Sequence, residues 1–146
     1  MYGQPSGADE LAWSWVDQQL EAAGTYWVTP TGPDRPHPRP VWGIWHADSL
    51  HLSIGSLVLA RQLADDPVVT VHLDSGIDVV IIEGAATGSS DETGLLEHYN
   101  AKYDWTYTVA KFGPLTRVDP SKVLAWRSTG FAGRDGFQAS GKWRFS

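Results

Sequence analysis

Two serines that precede a short amphipathic segment form the most chemically informative pattern in this chain. Ser53 lies in the last residues of a strand predicted over 50–54, and Ser56 stands immediately before a helix predicted over 57–66, which Pro67 stops. The first N–H groups of a helix have no partner within it, and the helix dipole adds positive character there. The pattern therefore indicates either a site for a phosphate or another anion beside the two hydroxyls, or an ordinary serine cap.

The histidines offer a second chemical signal. His72 and Asp74 share one face of a predicted strand, but no third ligand stands near them and cysteine is absent, so the sequence predicts no metal site. His37, His46 and His51 have a side chain that can donate a proton near neutral pH. Their positions in a proline-rich loop and beside a predicted hairpin turn favour ordinary surface polar residues.

The composition excludes several classes of function. The 146 residues carry a formal net charge of -6, which disfavours broad attraction to nucleic acid or to anionic membranes. Because there is no cysteine, disulfides, thiol catalysis and iron–sulfur clusters are excluded, and redox chemistry requires a bound cofactor. The first residues lack the basic start and apolar run of a signal peptide. We therefore expect a cytoplasmic protein whose partner is a small molecule.

Periodicity and turn signals predict short helices packed around strands. A capping box at 6–9 and apolar residues at helical spacing predict an N-terminal helix over about 8–23. A second capping box at 89–92 predicts a helix that continues through Tyr103. The predicted strands cover 25–29, 40–46, 50–54, 68–73, 77–86, 115–118, 123–126 and 142–145, with turns at 47–49 and 119–121.

This element order indicates a mainly β fold, an antiparallel barrel with short helices, in a single domain over 1–146. Residues 79–82 are apolar on both faces of their strand, which needs cover on the outside as well as in the core. A partner subunit is the simplest source of that cover, so we expect a homodimer. Glu83 follows in this apolar strand, and we expect it to form a structural ion pair with Arg144 or Arg117.

Several segments, taken together in their order and spacing, resemble the split β-barrel flavin and deazaflavin oxidoreductases, often called pyridoxamine 5'-phosphate oxidase-like. These segments are 38–45, 50–55, 60–67, 80–86, 99–105 and 142–145. The resemblance covers about 24–145 and is closest to the branch that uses the deazaflavin F(420). It implies a six-stranded antiparallel split β-barrel of the FMN-binding type and a homodimer. It also implies two symmetric sites between the subunits for FMN or F(420), whose reduced form gives a hydride to a small organic acceptor.

The start of the predicted helix departs from the family pattern. Members that bind a cofactor usually place a small residue, an arginine and a lysine there to hold the phosphate, whereas this chain has Leu57, Val58 and Leu59. Each missing charge-assisted hydrogen bond is worth roughly 1.5–3 kcal/mol. Arg61, one turn farther along, and Arg144, near the C-terminus, are the remaining candidates to hold an acidic cofactor tail or a phosphate.

The resemblance also implies which residues contact the cofactor. The family's cofactor ring lies along the strand that carries Trp42 here, and Trp42 and Trp45 point to opposite sides, so at most one of them faces the ring. Lys102, Tyr103 and Trp143 match segments that line the mouth of the pocket or the subunit contact. No catalytic residue is identified, because the cofactor itself carries the hydride. The candidate cofactor-binding residues are Pro40, Val41, Trp42, Ser53, Gly55, Ser56, Arg61, Lys102, Trp143 and Arg144.

Three functions are compatible with these features. The first is an F(420)- or FMN-dependent oxidoreductase that transfers a hydride between the reduced cofactor and a small conjugated substrate. The second is a non-catalytic split-barrel protein that has lost the phosphate-binding cations and binds a flat aromatic or tetrapyrrole ligand. The third is a dimeric structural protein that serves as an assembly partner.

Overall fold

The computed structural model describes residues 9–32, 36–90, 94–128 and 137–145. The helices are α1 (Trp13–Ala22), α2 (Leu57–Asp65), α3 (Leu95–Tyr103) and α4 (Val109–Phe112). The strands are β1 (Asp9–Glu10), β2 (Tyr26–Pro30), β3 (Arg39–Val41), β4 (Gly43–His46), β5 (Ser49–Leu52), β6 (Val68–His72), β7 (Asp78–Ser90), β8 (Leu115–Ser128) and β9 (Phe137–Arg144). Within these ranges, no helix combines the length and the apolar character needed to cross a membrane.

The barrel closes because β3 and β4 are two halves of one extended segment, separated only by Trp42. β3 pairs with β2, and β4 pairs with β5. The antiparallel path β3-β2-β6-β7-β8-β5-β4 therefore returns to the segment where it started. β9 pairs with β8, and β1 lies parallel to β9. These pairings confirm the predicted mainly β fold, a six-stranded antiparallel split β-barrel with short helices.

The core fills the inside of this barrel with alternate residues of its strands. Val69 and Val71 of β6, and Val80 and Ile82 of β7, point inward and are buried. Leu20 of α1 packs against the same cluster. Burial of each such side chain contributes about 1.5–3 kcal/mol, so the alternating apolar residues decide which face of each strand turns inward.

The N-terminal helix is shorter than its predicted range of about 8–23. Residues 9–10 form β1, which pairs with β9, and the Leu11 N–H donates to the Ser140 carbonyl at 2.9 Å. The backbone groups of residues 9–11 thus pair with the edge of β9, and α1 begins only at Trp13. Of the predicted capping box at 6–9, the first three residues lie outside the described residues.

The second predicted helix also starts later than expected. Ser89 belongs to β7, which continues to Ser90 because it pairs with β8 as far as Leu115. The capping box predicted at Ser89 is therefore wrong, and its partner Glu92 lies outside the described residues. α3 begins after Gly94, whose φ of 98° lies in the left-handed region that glycine tolerates.

The turn predicted at 119–121 is wrong, because β8 is continuous through it. The pairing register shifts there, so that Gly84 of β7 lies opposite Pro120 and Ser121 is the extra residue. A Cβ on Gly84 would lie 2.3 Å from the Asp119 carbonyl oxygen, so only glycine allows this close approach. A proline fits in the strand because the irregular ladder does not need its missing N–H.

Two side-chain predictions near these strands are also wrong. Glu83 pairs with Lys122, directly opposite it on β8, with Oε2 and Nζ 2.7 Å apart. Arg144 lies on β9, one strand farther from Glu83 than Lys122 is. Arg117 forms an ion pair with Asp119 instead, with Nε and Oδ1 2.8 Å apart. His51, predicted as a surface residue, is buried because β5 lies between β4 and β8.

Candidate functional site

A cleft of about 440 Å³ lies where the barrel is split between β3 and β4. One side comes from β3 and the start of α2, and the other from α3, α4 and the segment between them. The lining residues are Arg39, Pro40, Val41, Trp42, Ser53, Gly55, Ser56, Leu59, Tyr99, Trp105, Tyr107 and Phe112. Six of the ten predicted cofactor-binding residues are therefore brought together in one cavity, of a size typical for small-molecule sites.

The first end of the cleft combines a helix N-terminus with a cation. The Ser56 hydroxyl caps α2 by accepting a hydrogen bond from the Leu59 N–H at 3.2 Å, as an ordinary serine cap does. The N–H groups of the two residues before Leu59 cannot bond within the helix. Arg39 reaches this end from β3, where its Nη1 donates to Gln62 Oε1 at 3.3 Å. Among the described lining residues, Arg39 is the one that carries a charge.

Sequence reasoning passed over Arg39, although it lies in a segment that carries the resemblance. The family pattern drew attention to the helix start, where Leu57 and Val58 are 74% and 57% exposed. The usable signal was the alternation of β3, which places Arg39 and Val41 on one face of the strand. A cation can therefore approach an anion at α2 from the neighbouring strand instead of from the helix.

The second end of the cleft is a wall of aromatic rings. The Trp42 ring is 44% exposed and lies parallel to the Tyr103 ring, with centroids 4.5 Å apart and an interplanar angle of 1°. Trp105 stands perpendicular to Trp42 at 6.2 Å. Trp45 is only 4% exposed in the core, and its Nε1 donates to Asp17 at 2.8 Å. The prediction that Trp42 and Trp45 face opposite sides is confirmed.

Two buried tyrosines, Tyr99 and Tyr107, line the cleft together with Ser53. The Ser53 hydroxyl acts on the pKa of both tyrosines, and the Tyr107 hydroxyl donates to the Gly113 carbonyl at 2.6 Å. Burial raises the pKa of both tyrosines, so both hydroxyls stay protonated at physiological pH. The Tyr107 backbone N–H donates to Asn100 Oδ1 at 2.7 Å, which fixes the segment after α3. In the sequence, Tyr99 stands within the helix predicted through Tyr103, and a helical position alone carries no sign of a polar role.

Lys102 lies behind the cleft wall, outside the cleft lining. Its Nζ donates to the Tyr26 hydroxyl at 3.0 Å and to the Gly43 carbonyl at 2.9 Å. Burial lowers the pKa of Lys102 to about 8, while Glu21 acts in the opposite direction. Lys102 was predicted to contact the cofactor. In a single chain it contacts instead the backbone of Gly43, the residue after Trp42.

Three further predicted site residues lie away from the cleft of a single chain. Arg61 is exposed on α2. Trp143 packs its ring against Trp13 at 5.2 Å, on the inner side of β9. Arg144 is exposed on β9, directly opposite Lys122. Contact between these residues and a cofactor stays a prediction that requires the second subunit.

The Trp27 indole ring lies beside both His72 and Asp74. Trp27 donates its Nε1–H to Asp74 and lies parallel to the His72 ring at 6.2 Å. The His72 Nδ1 lies 2.9 Å from the Leu73 carbonyl oxygen. Within the described ranges, no three His, Asp or Glu side chains come close enough to hold a metal ion.

Comparisons of the sequence with family models and with curated proteins find no match. Solved structures with the same fold are found at 9–19% identity. A pyridoxamine 5'-phosphate oxidase homologue from Listeria innocua aligns with a TM-score of 0.63 at 19% identity, over 77% of this chain and 95% of its own. A structure named F(420) reductase gives 0.60 at 16% identity, over 82% and 98%.

A FAD-binding protein from Mycobacterium smegmatis aligns over 94% of this chain and 100% of its own, with a TM-score of 0.57 at 16% identity. Such identities establish the fold alone. The resemblance read from the sequence is thus confirmed for the fold, and this chain has the split β-barrel of the pyridoxamine 5'-phosphate oxidase-like and flavin-binding structures.

Proposed function

We propose that this chain is an oxidoreductase that binds FMN or the deazaflavin F(420) in the cleft and transfers a hydride between the cofactor and a small conjugated substrate. The observation that carries the proposal is that one cleft joins a flat aromatic wall at Trp42 to an anion-compatible end at Arg39 and α2. Proteins of the same fold include structures named F(420) reductase and FAD-binding protein.

The residues of the cleft fit such a cofactor. Trp42 would cover one face of the ring, as aromatic side chains do in ring-binding sites. The α2 N-terminus, the Ser53 hydroxyl and the Arg39 guanidinium would hold the phosphate, with Arg39 in the role of the cations that the start of α2 lacks. When bound, the reduced cofactor supplies the hydride. The chain itself positions the reactants, excludes water and offers the neutral Tyr99 hydroxyl as a hydrogen-bond donor.

A homodimer with shared sites is part of this proposal. The rim of the cleft exposes the apolar side chains of Leu57, Val58, Trp105 and Phe112, which water solvates poorly. A second copy would cover this rim and narrow the cleft around the ring. It would also be the source of Arg144 as a second cation for an acidic cofactor tail. Residence in the cytoplasm stays a prediction.

Titration of the purified protein with FMN and with F(420), followed by quenching of tryptophan fluorescence, tests the binding step. We expect a dissociation constant of about 10 μM or lower for at least one of them, since each charge-assisted contact adds roughly tenfold. Absence of saturable binding of both compounds at about 1 mM would contradict the proposal. Static light scattering of the same samples tests the homodimer, which a stable 16.0 kDa monomer would exclude.

A second function has its own supporting observation. The α2 start presents two exposed leucine and valine side chains, Leu57 and Val58, where a phosphate would meet cations in the family. A non-catalytic protein that binds a flat ligand without a phosphate, an aromatic compound or a tetrapyrrole, accounts for that apolar surface. Titration with haem, followed by its Soret band, separates the two functions. Saturable haem binding without flavin or F(420) binding would favour the second.

A further inference from the structure

The split in the barrel leaves Gly43 without a strand partner on one side, and side chains of α3 take that place. The Gly43 N–H donates to the Tyr103 hydroxyl at 2.9 Å. The Gly43 carbonyl accepts from Lys102 Nζ at 2.9 Å, and the Tyr103 hydroxyl lies 2.8 Å from the same oxygen. Both backbone groups of Gly43 are therefore fixed by the last turn of α3. A Cβ at Gly43 would lie 2.7 Å from Leu52 Cδ2 and 2.8 Å from the His51 carbonyl oxygen, so only glycine allows this close approach to β5.

We propose that Lys102 and Tyr103 are positioning residues that fix Gly43 and thereby the Trp42 ring, and that the positive charge of Lys102 is part of this hold. Gly43 directly follows Trp42, whose ring stacks on Tyr103 and forms the cleft wall. Two hydrogen bonds therefore hold the Gly43 backbone next to Trp42, and the Tyr103 ring stacks on the Trp42 ring itself. The consequence for a bound ring rests on the proposed function, whereas the effect on Trp42 itself does not.

The surroundings of Lys102 make its charge sensitive to pH. From β2, the Tyr26 hydroxyl accepts a bond from Nζ, and the Tyr26 ring centroid lies 4.9 Å away. From its own helix, the Tyr103 ring lies 5.2 Å away, and from β4 the Gly43 carbonyl accepts. From α1, Glu21 is the carboxylate that acts on it. Partial burial lowers the pKa of Lys102 more than Glu21 raises it, so Lys102 loses its proton at mildly alkaline pH.

The loss of this proton weakens one specific contact. An ammonium donor forms a hydrogen bond roughly twice as strong as that of a neutral amine, so the Gly43 carbonyl is held less firmly once Lys102 is neutral. The Trp42 ring then samples more orientations, and a ring ligand that needs a fixed wall binds less tightly.

Fluorine NMR of the whole protein with 5-fluorotryptophan tests the proposal without any ligand. The Trp42 resonance is assigned from its absence in Trp42→Phe. We expect this resonance to shift between about pH 6.5 and pH 9.5 with a midpoint near 8, the pKa of Lys102. In Lys102→Met the titration should vanish. In Lys102→Arg the resonance should keep its low-pH position throughout, because arginine stays charged. Lys142→Met, an exposed site on β9, is the matched control and should titrate as the unmodified protein does.

A Trp42 resonance that does not move in the unmodified protein, or that still titrates in Lys102→Met, would overturn the proposal. If Lys102→Met does not fold, continued titration in Lys102→Arg would overturn it equally. FMN titrations at about pH 7 and pH 9 form the second arm, since the FMN phosphate is mostly doubly charged at pH 7 and only gains charge toward pH 9. We expect a threefold to tenfold rise of Kd in the unmodified protein, on the order of one weakened bond, and none in Lys102→Arg. If FMN does not bind, the proposed function fails while the NMR result still decides this inference.

Discussion

The two ends of the cleft are built in different ways. The aromatic end consists of side chains that hold one another, with Trp42 stacked on Tyr103 and perpendicular to Trp105. The α2 end consists mostly of backbone N–H groups, to which Arg39 adds one charge from β3. This difference indicates that a ligand gains more affinity from its ring than from its anion, the reverse of a site with two cations on its helix. Predictions about each end test whether the ring contributes more affinity than the anion.

The largest expected effect is the loss of the ring wall. Trp42→Ala should weaken FMN binding by about 5- to 150-fold, because stacking of a planar ring on an aromatic side chain contributes about 1–3 kcal/mol. Trp27→Ala is the matched control, since Trp27 lies on the outer face of β2 against His72. Isothermal titration calorimetry compares the two variants. Equal losses in both would show that the ring does not bind at Trp42.

The next effect concerns the single charge at the α2 end. Arg39→Gln should raise the Kd of FMN about tenfold, because one charge-assisted bond to the phosphate is lost. Arg61→Gln, at an exposed arginine of α2 outside the described cleft lining, should change the Kd less than Arg39→Gln does. The effect of Arg39 should shrink as salt is added. An Arg61 variant that loses more affinity than the Arg39 variant would place the phosphate farther along α2.

A cation on the helix should strengthen the weaker end. Val58→Arg restores the arginine of the family pattern at an exposed position and should tighten FMN binding about tenfold. A lysine at Leu59 is not equivalent, because Leu59 is fully buried in the core and a charge there would destabilise the fold. Calorimetry of a folded Val58→Arg protein with unchanged affinity would remove the phosphate from this helix.

The smallest effect is on stability. Lys102 has a pKa of about 8 in the folded protein, below its ordinary value of 10.5, so the unfolded chain binds more protons between these pH values and stability should rise there. Burial raises the pKa of Tyr26, Tyr99, Tyr103 and Tyr107 above 10.0, so stability should fall again above about pH 10. Thermal melts across this range, with Lys102→Met losing the rise, check the sign. A steady fall from pH 8 would contradict it.

The part of the fold that sequence predicts well is local. The hairpin from β4 to β5, the cap of α2 at Ser56 and the opposite directions of Trp42 and Trp45 all depend on neighbours in the chain. The continuous β8 was mispredicted because Pro120 normally breaks a strand, and only its contact with Gly84 on another strand makes it acceptable.

The site shows the same limit. The sequence placed Pro40, Trp42 and Ser53 together because the resemblance spans their segments in order, and it placed Ser56 there because Ser56 precedes the predicted helix. The sequence also grouped Lys102 with these lining residues, whereas in the fold Lys102 bonds to the Gly43 carbonyl behind the aromatic wall. Contacts that join residues far apart in the chain, such as Arg39 with Gln62 or Glu83 with Lys122, leave no periodic pattern in the sequence.

Calorimetric binding of FMN and of riboflavin, which lacks the phosphate, to the unmodified protein and to Trp42→Ala tests the central claim most directly. The account predicts that riboflavin binds within about tenfold of FMN, because Arg39 is the one charged side chain that the described cleft lining offers to the phosphate. It also predicts that Trp42→Ala weakens both ligands by the same factor. Riboflavin binding that is unaffected by Trp42→Ala, or failure of both ligands to bind the unmodified protein, would contradict it.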